Sequence, residues 1–257
     1  MEADKYIPIS AKMGDNVTEA SENMEWYRGT FLRAMDQFAP SRQLSELPLR
    51  FPIQDVYKFD DRRIIAGRIE SGSLKVGDEI IISPENNKAR VKSIESWREE
   101  KDEVVAGESI GITIDDEYFY KRGQVISHED TRPVVTNLFH ANVFWMGKNP
   151  FIKGKKYLLK LNTQEVECEI HTLNSIIDSD TLEKQDGEEL GRNKVGNLII
   201  KTKRPLLFDS YGNIHNTGRF VIVDDSIVAG GGIIEGEFNT FKQKSDNVVW
   251  QDLIISH

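Results

Sequence analysis

The sequence predicts a mainly β protein, with two consecutive antiparallel β-domains set behind the strand-and-helix end of an α/β domain. Three observations predict it. Apolar residues recur with a period of two from Leu49 onward, as they do along half-buried strands. Turn residues break those runs roughly every eight to twelve positions, which is the spacing of a barrel or a sandwich. The chain has 257 residues, 39% hydrophobic and 29% charged. Such a composition folds, and the length suits about two domains.

Residues 1–47 read as the end of a domain. Tyr6-Ile7-Pro8-Ile9-Ser10 is a short apolar strand end, followed by Ser10-Ala11-Lys12 and a polar Gly14-Asp15-Asn16 turn. Thr30 stands where a helix N-cap belongs, with Phe31, Leu32, Met35 and Phe38 following at helical spacing and Pro40 closing the helix. One strand end and one helix bury too little to fold alone. The expectation is the C-terminal remnant of a domain whose body lies upstream.

Residues 48–131 form the first expected β-domain. Ile65, Gly67 and Ile69 share one strand face, and Arg68 and Glu70 the other. Ser71-Gly72 and Gly77-Asp78 make turns around Leu74-Lys75-Val76, and Ile80-Ile81-Ile82 follows. Beyond Pro84-Glu85-Asn86-Asn87, strands resume at Arg90–Ile94 and at Ile110, Ile112 and Ile114. Residues 132–236 form the second, entered through Arg132-Pro133. Phe139, Ala141, Val143 and Trp145 face one way, and His140, Asn142 and Phe144 the other. Val166, Cys168 and Ile170 alternate with charged neighbours, and Leu198–Ile200 and Phe220–Val223 complete the set. The glycines at 230–232 are expected to form a turn or bulge leading into a last strand. Residues 237–257, which contain Asn247-Val248-Val249-Trp250, read as a linker.

Charge and composition exclude several classes. The net charge is −9 and the pI about 5.2, which opposes broad nucleic-acid affinity because phosphate binding needs a basic surface. No apolar run approaches the roughly 20 residues of a spanning helix. Met1-Glu2-Ala3-Asp4-Lys5 carries no apolar leader, so the Asn16-Val17-Thr18 sequon is expected to stay unmodified. A single cysteine, Cys168, rules out an intrachain disulfide and fits a reducing, cytoplasmic setting.

Catalytic motifs are absent from these residues. Gly147-Lys148 and Gly154-Lys155-Lys156 lack the G-x-x-x-x-G-K-[ST] spacing of a phosphate loop. Asn87-Lys88 and Asn193-Lys194 lack the aspartate that would grip a guanine base. His128, His140, His171, His215 and His257 are scattered without a metal-ligand partner at short spacing. Cys168 sits on an apolar strand face and is expected to be inert core. The carboxylates of Asp115-Asp116-Glu117, Asp178-Ser179-Asp180 and Asp186–Glu189 are expected to be solvated turns. Neither a catalytic residue nor a metal ligand is assigned.

Gly67-x-Ile69-x-x-Gly72-x-Leu74-x-x-Gly77-Asp78 resembles the second-domain signature of translation-factor GTPases such as elongation factor Tu. The resemblance implies two consecutive antiparallel β-barrels, like domains 2 and 3 of that factor, preceded by a strand/helix remnant of an α/β GTPase domain. It also implies that Gly72 and Gly77 hold turns with positive φ. Ser10-Ala11-Lys12 resembles the last nucleotide-contacting motif of those GTPases, in which the Ser-Ala backbone approaches the guanine carbonyl.

Within the superfamily the chain resembles the large, GTP-binding subunit of sulfate adenylyltransferase. The matching stretches are Gly14-Asp15-Asn16-Val17, Asn23-Met24-x-Trp26-Tyr27-x-Gly29, Val143-Phe144-Trp145-Met146, Phe208-Asp209-Ser210-Tyr211 and Asn216–Asp224. The family's phosphate loop, switch aspartate and N-K-x-D motif are missing from these residues. Asn247-Val248-Val249-Trp250 resembles the lead-in of an adenylylsulfate kinase, which implies a fused parent.

What the resemblance implies is a non-catalytic role. The barrels would bind the catalytic subunit of sulfate adenylyltransferase and pack on the chain's own GTPase domain, coupling GTP hydrolysis to adenylylsulfate synthesis from ATP and sulfate. GTP and Mg belong to the intact parent, and no cofactor to these residues alone. No nucleic-acid and no membrane partner is expected. Two rivals stand beside this reading: barrels that hold tRNA, through a local basic patch such as Lys153–Lys160, and a structural remnant without a specific partner. Trp145 and Met146 are expected in the barrel core or between barrels. Asp209 and Tyr211 are expected to cap a strand turn, and Arg63, Arg68 and Lys75 to be merely solvated.

Overall fold

Strand pairing begins where the period-two pattern begins. The computed structural model describes residues 5–38, 43–59, 62–96, 101–115, 118–179 and 181–238. The first barrel is built from β1 (Phe51–Phe59), β2 (Arg62–Arg68), β3 (Ser73–Lys75), β4 (Glu79–Ser83), β5 (Asn87–Glu95), β6 (Glu103–Val105), β7 (Ser109–Ile114) and β8 (Val125–Ser127). Six of these close in the order β1-β2-β7-β5-β4-β8, and β3 pairs with β6 as a separate small sheet. Closure falls where Phe51 of β1 stands opposite Ile126 of β8. Alternation puts Phe51, Ile53, Ile65, Ile80, Ile82 and Ile112 inside, all at 1% exposure or less. Closing the sheet removes the unpaired edges that an open one would leave.

The second barrel uses β9 (Val134–Trp145), β10 (Phe151–Ile152), β11 (Tyr157–Leu161), β12 (Gln164–Asp178), β13 (Lys184–Gln185), β14 (Glu189–Leu190), β15 (Lys194–Phe208), β16 (Arg219–Asp224) and β17 (Ile227–Glu237). Its ring runs β11-β16-β17-β9-β15-β12 and is closed by the β11–β12 hairpin, with β13 added outside β12. Asp225 and Ser226 turn the β16–β17 hairpin with φ of 46° and 68°, the left-handed pair that a tight antiparallel turn takes. Trp145 fills one end of the core. Its ring stacks on Phe151 at 4.7 Å, meets Tyr157 edge-on at 5.7 Å, and its indole N–H donates to the Asn149 carbonyl.

The glycines at 230–232 correct the expected turn: they lie inside β17, and the bulge falls one step earlier, at the Ile222/Val223 register shift. Their packing explains the sequence. A Cβ on Gly230 would stand 2.7 Å from the Trp145 ring, and one on Gly232 would stand 2.5 Å from Phe220. Large aromatics inside the barrel therefore require bare backbone on the neighbouring strand. Met146 also departs from expectation, since it is 45% exposed while Trp145 is fully buried.

Residues 1–43 make a separate compact unit. Here the expected strand over residues 6–10 reduces to one antiparallel bridge between Ser10 and Asp15. The helix α1 (Phe31–Met35) starts at the predicted cap, with the Thr30 hydroxyl accepting from Arg33 N–H. It ends at Met35, where Gln37 and Phe38 turn back onto Ala34 and Met35 carbonyls. Pro40, assigned to that ending, lies outside the described residues, as do Asp116, Glu117, Asp180, His257 and Asn247–Trp250. No helix among the described residues is long and apolar enough to cross a membrane.

Candidate functional site

Two features carry functional weight: the seam between the barrels and the Ser10–Asn16 loop. The seam is centred on Arg50, which follows Leu49 just before β1. Its backbone is fixed by an antiparallel bridge to Ser71. Its side chain, 3% exposed, makes two parallel hydrogen bonds of 2.8 Å to Asp209, one from Nε and one from Nη2. Nη1 donates to the carbonyls of Leu49 and of Thr131, the latter in the connection between barrels. Asp209, immediately after β15, also accepts from the Thr217 hydroxyl at 2.7 Å. A second link runs from the Asn216 amide to the Glu70 carbonyl at 3.2 Å.

A forked, fully bonded guanidinium–carboxylate pair is geometrically demanding. Both charges are taken out of water, so neither partner is easily released. The pair therefore locks the two barrels at one end. Neither residue was assigned this role from sequence. Asp209 braces the turn to Thr217, as expected, and is at the same time the anion of the clamp. The available signal was Arg50 itself, a lone cation inside the apolar run Leu49-Arg50-Phe51, because an arginine in such a place needs a buried partner.

The Ser10–Asn16 loop is built around Asn16, which is fully buried and has φ of 53°. Its side-chain amide donates to the Pro8 carbonyl at 3.0 Å and accepts from Ser21 N–H at 2.8 Å. Gly14 N–H bonds the Ser10 carbonyl at 2.8 Å, and Met13 N–H reaches the Ser10 hydroxyl at 3.3 Å. Ser10 is half-buried, while Ala11 and Lys12 are exposed. The backbone N–H groups of Ala11 and Lys12 donate to no group among the described residues. The loop thus offers, among the described residues, two unused backbone donors on a segment held by Asn16.

Other expected residues fall elsewhere. Arg63 is not simply solvated, as its guanidinium lies 4.2 Å above the Phe119 ring, and Lys75 pairs with Glu103 at 3.3 Å. Tyr211 stacks on His215 at 4.4 Å. The suspected basic patch is neutralised within the barrel: Lys155 pairs with Asp224, Lys156 with Glu167 and Lys160 with Glu165. Hydrogen bonds to those carboxylates hold the Lys155 and Lys156 ammonium groups above the usual lysine range. Three of its lysines therefore offer little to a phosphate backbone.

Cys168 is core, at 2% exposure. Burial pushes its thiol up to about 12, so thiolate is scarce at neutral pH. A disulfide reagent at mildly alkaline pH is expected to leave the native chain unmodified and to react with it after denaturation. Stoichiometric modification before unfolding would contradict the packing.

Each barrel matches a family model. Residues 62–127 match elongation factor Tu domain 2, and residues 138–235 match the GTP-eEF1A C-terminal domain-like family. Both barrels thus resemble domains of translation-factor GTPases. Among individual relatives, the chain is 32% identical over 251 residues to the bifunctional enzyme NodQ of Rhizobium sp. (strain N33), covering 96% of this chain and 38% of that protein. It is 33% identical over 245 residues to sulfate adenylyltransferase subunit 1 of Shewanella woodyi, covering 94% and 52%. The chain thus spans about half or less of these relatives. The fold also matches the solved structure of sup35 complexed with GDP, with a TM-score of 0.72 and 21% identity over 91% of this chain and 59% of that one.

Proposed function

We propose that this chain is the relay portion of the GTP-binding subunit of a sulfate adenylyltransferase, docking the catalytic subunit and passing nucleotide state to it. Its main support is the similarity along 94% of the chain to sulfate adenylyltransferase subunit 1 of Shewanella woodyi. The seam adds the mechanics. A switch can drive a distant site only if the intervening part moves as a unit and makes different contacts in the two states. Barrels joined by the Arg50–Asp209 pair meet the first requirement.

In the intact protein, bound GTP with Mg would supply the free energy of hydrolysis and two distinct nucleotide states. The residues of this chain do the rest. The Ala11 and Lys12 N–H groups would meet the guanine carbonyl, with Ser10 and Asn16 shaping the loop. The clamp would carry a displacement of the first barrel into the second. The paired state of Lys155, Lys156 and Lys160 disfavours the tRNA-holding alternative.

The test is a calorimetric titration of the 257-residue chain with purified catalytic subunit of a sulfate adenylyltransferase. A saturable heat with co-elution is expected, and GTP in place of the subunit is expected to give none, since a phosphate loop supplies much of nucleotide affinity. Absence of any association with the subunit would refute the relay role.

A further inference from the structure

Beside the clamp, the seam between the barrels is open. There the loop at 121–124 of the first barrel and the end of β15 at 204–207 in the second line a cleft of about 500 Å³. Three cations line it: Lys121, Arg122 and Arg204. Both guanidiniums are held by backbone carbonyls, Arg122 by that of Gln54 and Arg204 by that of Glu165, each at 3.2 Å. No described carboxylate pairs with any of the three. The two lining carboxylates are already engaged: Glu85 accepts from the Gln124 amide at 2.7 Å, and Glu165 pairs with Lys160 at 3.1 Å.

The cleft also holds an unmet polar group. Thr163 Oγ1 is buried and has no hydrogen-bond partner among the described residues. It sits at the tip of the β11–β12 hairpin, beside Gln164. That side chain donates to the Leu207 carbonyl and accepts from Leu207 N–H at 2.7 and 2.9 Å, which fixes this wall. A buried hydroxyl without a partner costs free energy unless something else satisfies it.

From these observations we propose that the interbarrel cleft binds a small organic polyanion bearing two or more phosphate or carboxylate groups. In a chain of net charge −9, Lys121, Arg122 and Arg204 outnumber Glu85 and Glu165 on this lining, and none of the three pairs with a described carboxylate, so the cleft is locally basic. A guanidinium tethered to a carbonyl keeps its remaining N–H groups for a planar, bidentate acceptor. The volume falls in the range of about 300–1,000 Å³ that accommodates a small molecule, and is too small to seat a folded domain. Arg122 comes from one barrel and Arg204 from the other, so the bound anion bridges the seam.

Tripolyphosphate, citrate and a poly-glutamate peptide are to be titrated separately into the 257-residue chain by calorimetry. The ionic strength is held near 0.15 M, where exposed charges are screened beyond about 8 Å. Saturation by tripolyphosphate or citrate at one equivalent is expected, and the better of the two identifies phosphate or carboxylate as the recognised group. The double variant Arg122→Gln/Arg204→Gln is expected to weaken that affinity about tenfold or more. Lys153→Gln, which removes one positive charge at an exposed turn outside the cleft lining, should leave it unchanged. Thermal unfolding of each unliganded variant verifies folding, and a ligand-dependent rise in Tm is expected only where binding persists. Failure of both small anions to saturate would overturn the proposal. So would an equal loss in Lys153→Gln, or saturation by the peptide alone.

Discussion

Asp209→Ala is expected to destabilise the two-barrel unit by about 3–5 kcal/mol, because it strands a guanidinium that is already out of water. Arg50 is 2% exposed, and among the described residues Asp209 is the only carboxylate that pairs with it. The two carbonyls on Nη1 cannot neutralise its charge. In a unit of this size the loss corresponds to a Tm lower by on the order of 10 °C. Arg50→Ala should be milder, since the abandoned carboxylate still accepts from Thr217 and is nearer to solvent. Arg50→Met combined with Asp209→Leu should recover much of the loss, because apolar residues can replace a buried pair at small net cost. The double-mutant cycle then reports a large coupling. Melts of the four proteins measure it. An Asp209→Ala loss below about 1 kcal/mol, the range of exposed pairs, would mean the seam is wet.

Gly72→Ala and Gly77→Ala are expected to diverge, although both glycines belong to the same sequence signature. Each has positive φ, 77° and 90°. At Gly77 an added Cβ meets nothing within 4 Å, so alanine costs only the left-handed penalty of about 1–2 kcal/mol. At Gly72 the same atom would lie 2.6 Å from both N and Cα of Leu49 and 2.8 Å from the Leu47 carbonyl. Backbone cannot rotate away as a side chain does, so a packing cost of about 1–3 kcal/mol adds to the left-handed one. The strand entering β1 would be pushed aside one residue before Arg50, and the clamp would loosen with it. Denaturant melts should therefore place Gly72→Ala well below Gly77→Ala in midpoint. Equal midpoints would show that Leu49 does not pack where the structure puts it.

The barrels were legible because a strand with one buried face writes its orientation into every second residue. Phe139, Ala141, Val143 and Trp145 read as one face and are all fully buried. The Gly72 and Gly77 turns were legible for a similar reason, since only backbone conformation had to be inferred. Pairings across the chain were not. Arg50 and Asp209 are separated by 159 positions, and nothing local in the Phe208-Asp209-Ser210-Tyr211 stretch shows that its anion is spent on another barrel. The glycines at 230–232 read as a turn because the aromatic rings that exclude their side chains, Trp145 and Phe220, lie on neighbouring strands. A strand over residues 6–10 needs a partner strand, and sequence alone does not say whether one is within reach. The interbarrel cleft was invisible for the most general reason: its cations come from a loop and a strand about 80 residues apart, each an ordinary surface residue on its own.

The clamped pair of barrels is the centre of this account, and residual dipolar couplings measured on the weakly aligned chain test it most directly. Couplings from residues 62–115 and 134–237, fitted separately, should return one common alignment tensor in the wild type and two distinct tensors in Asp209→Ala. Two independent tensors in the wild type would mean that the barrels tumble apart despite the Arg50–Asp209 pair, and a relay through the seam would then have no mechanical basis.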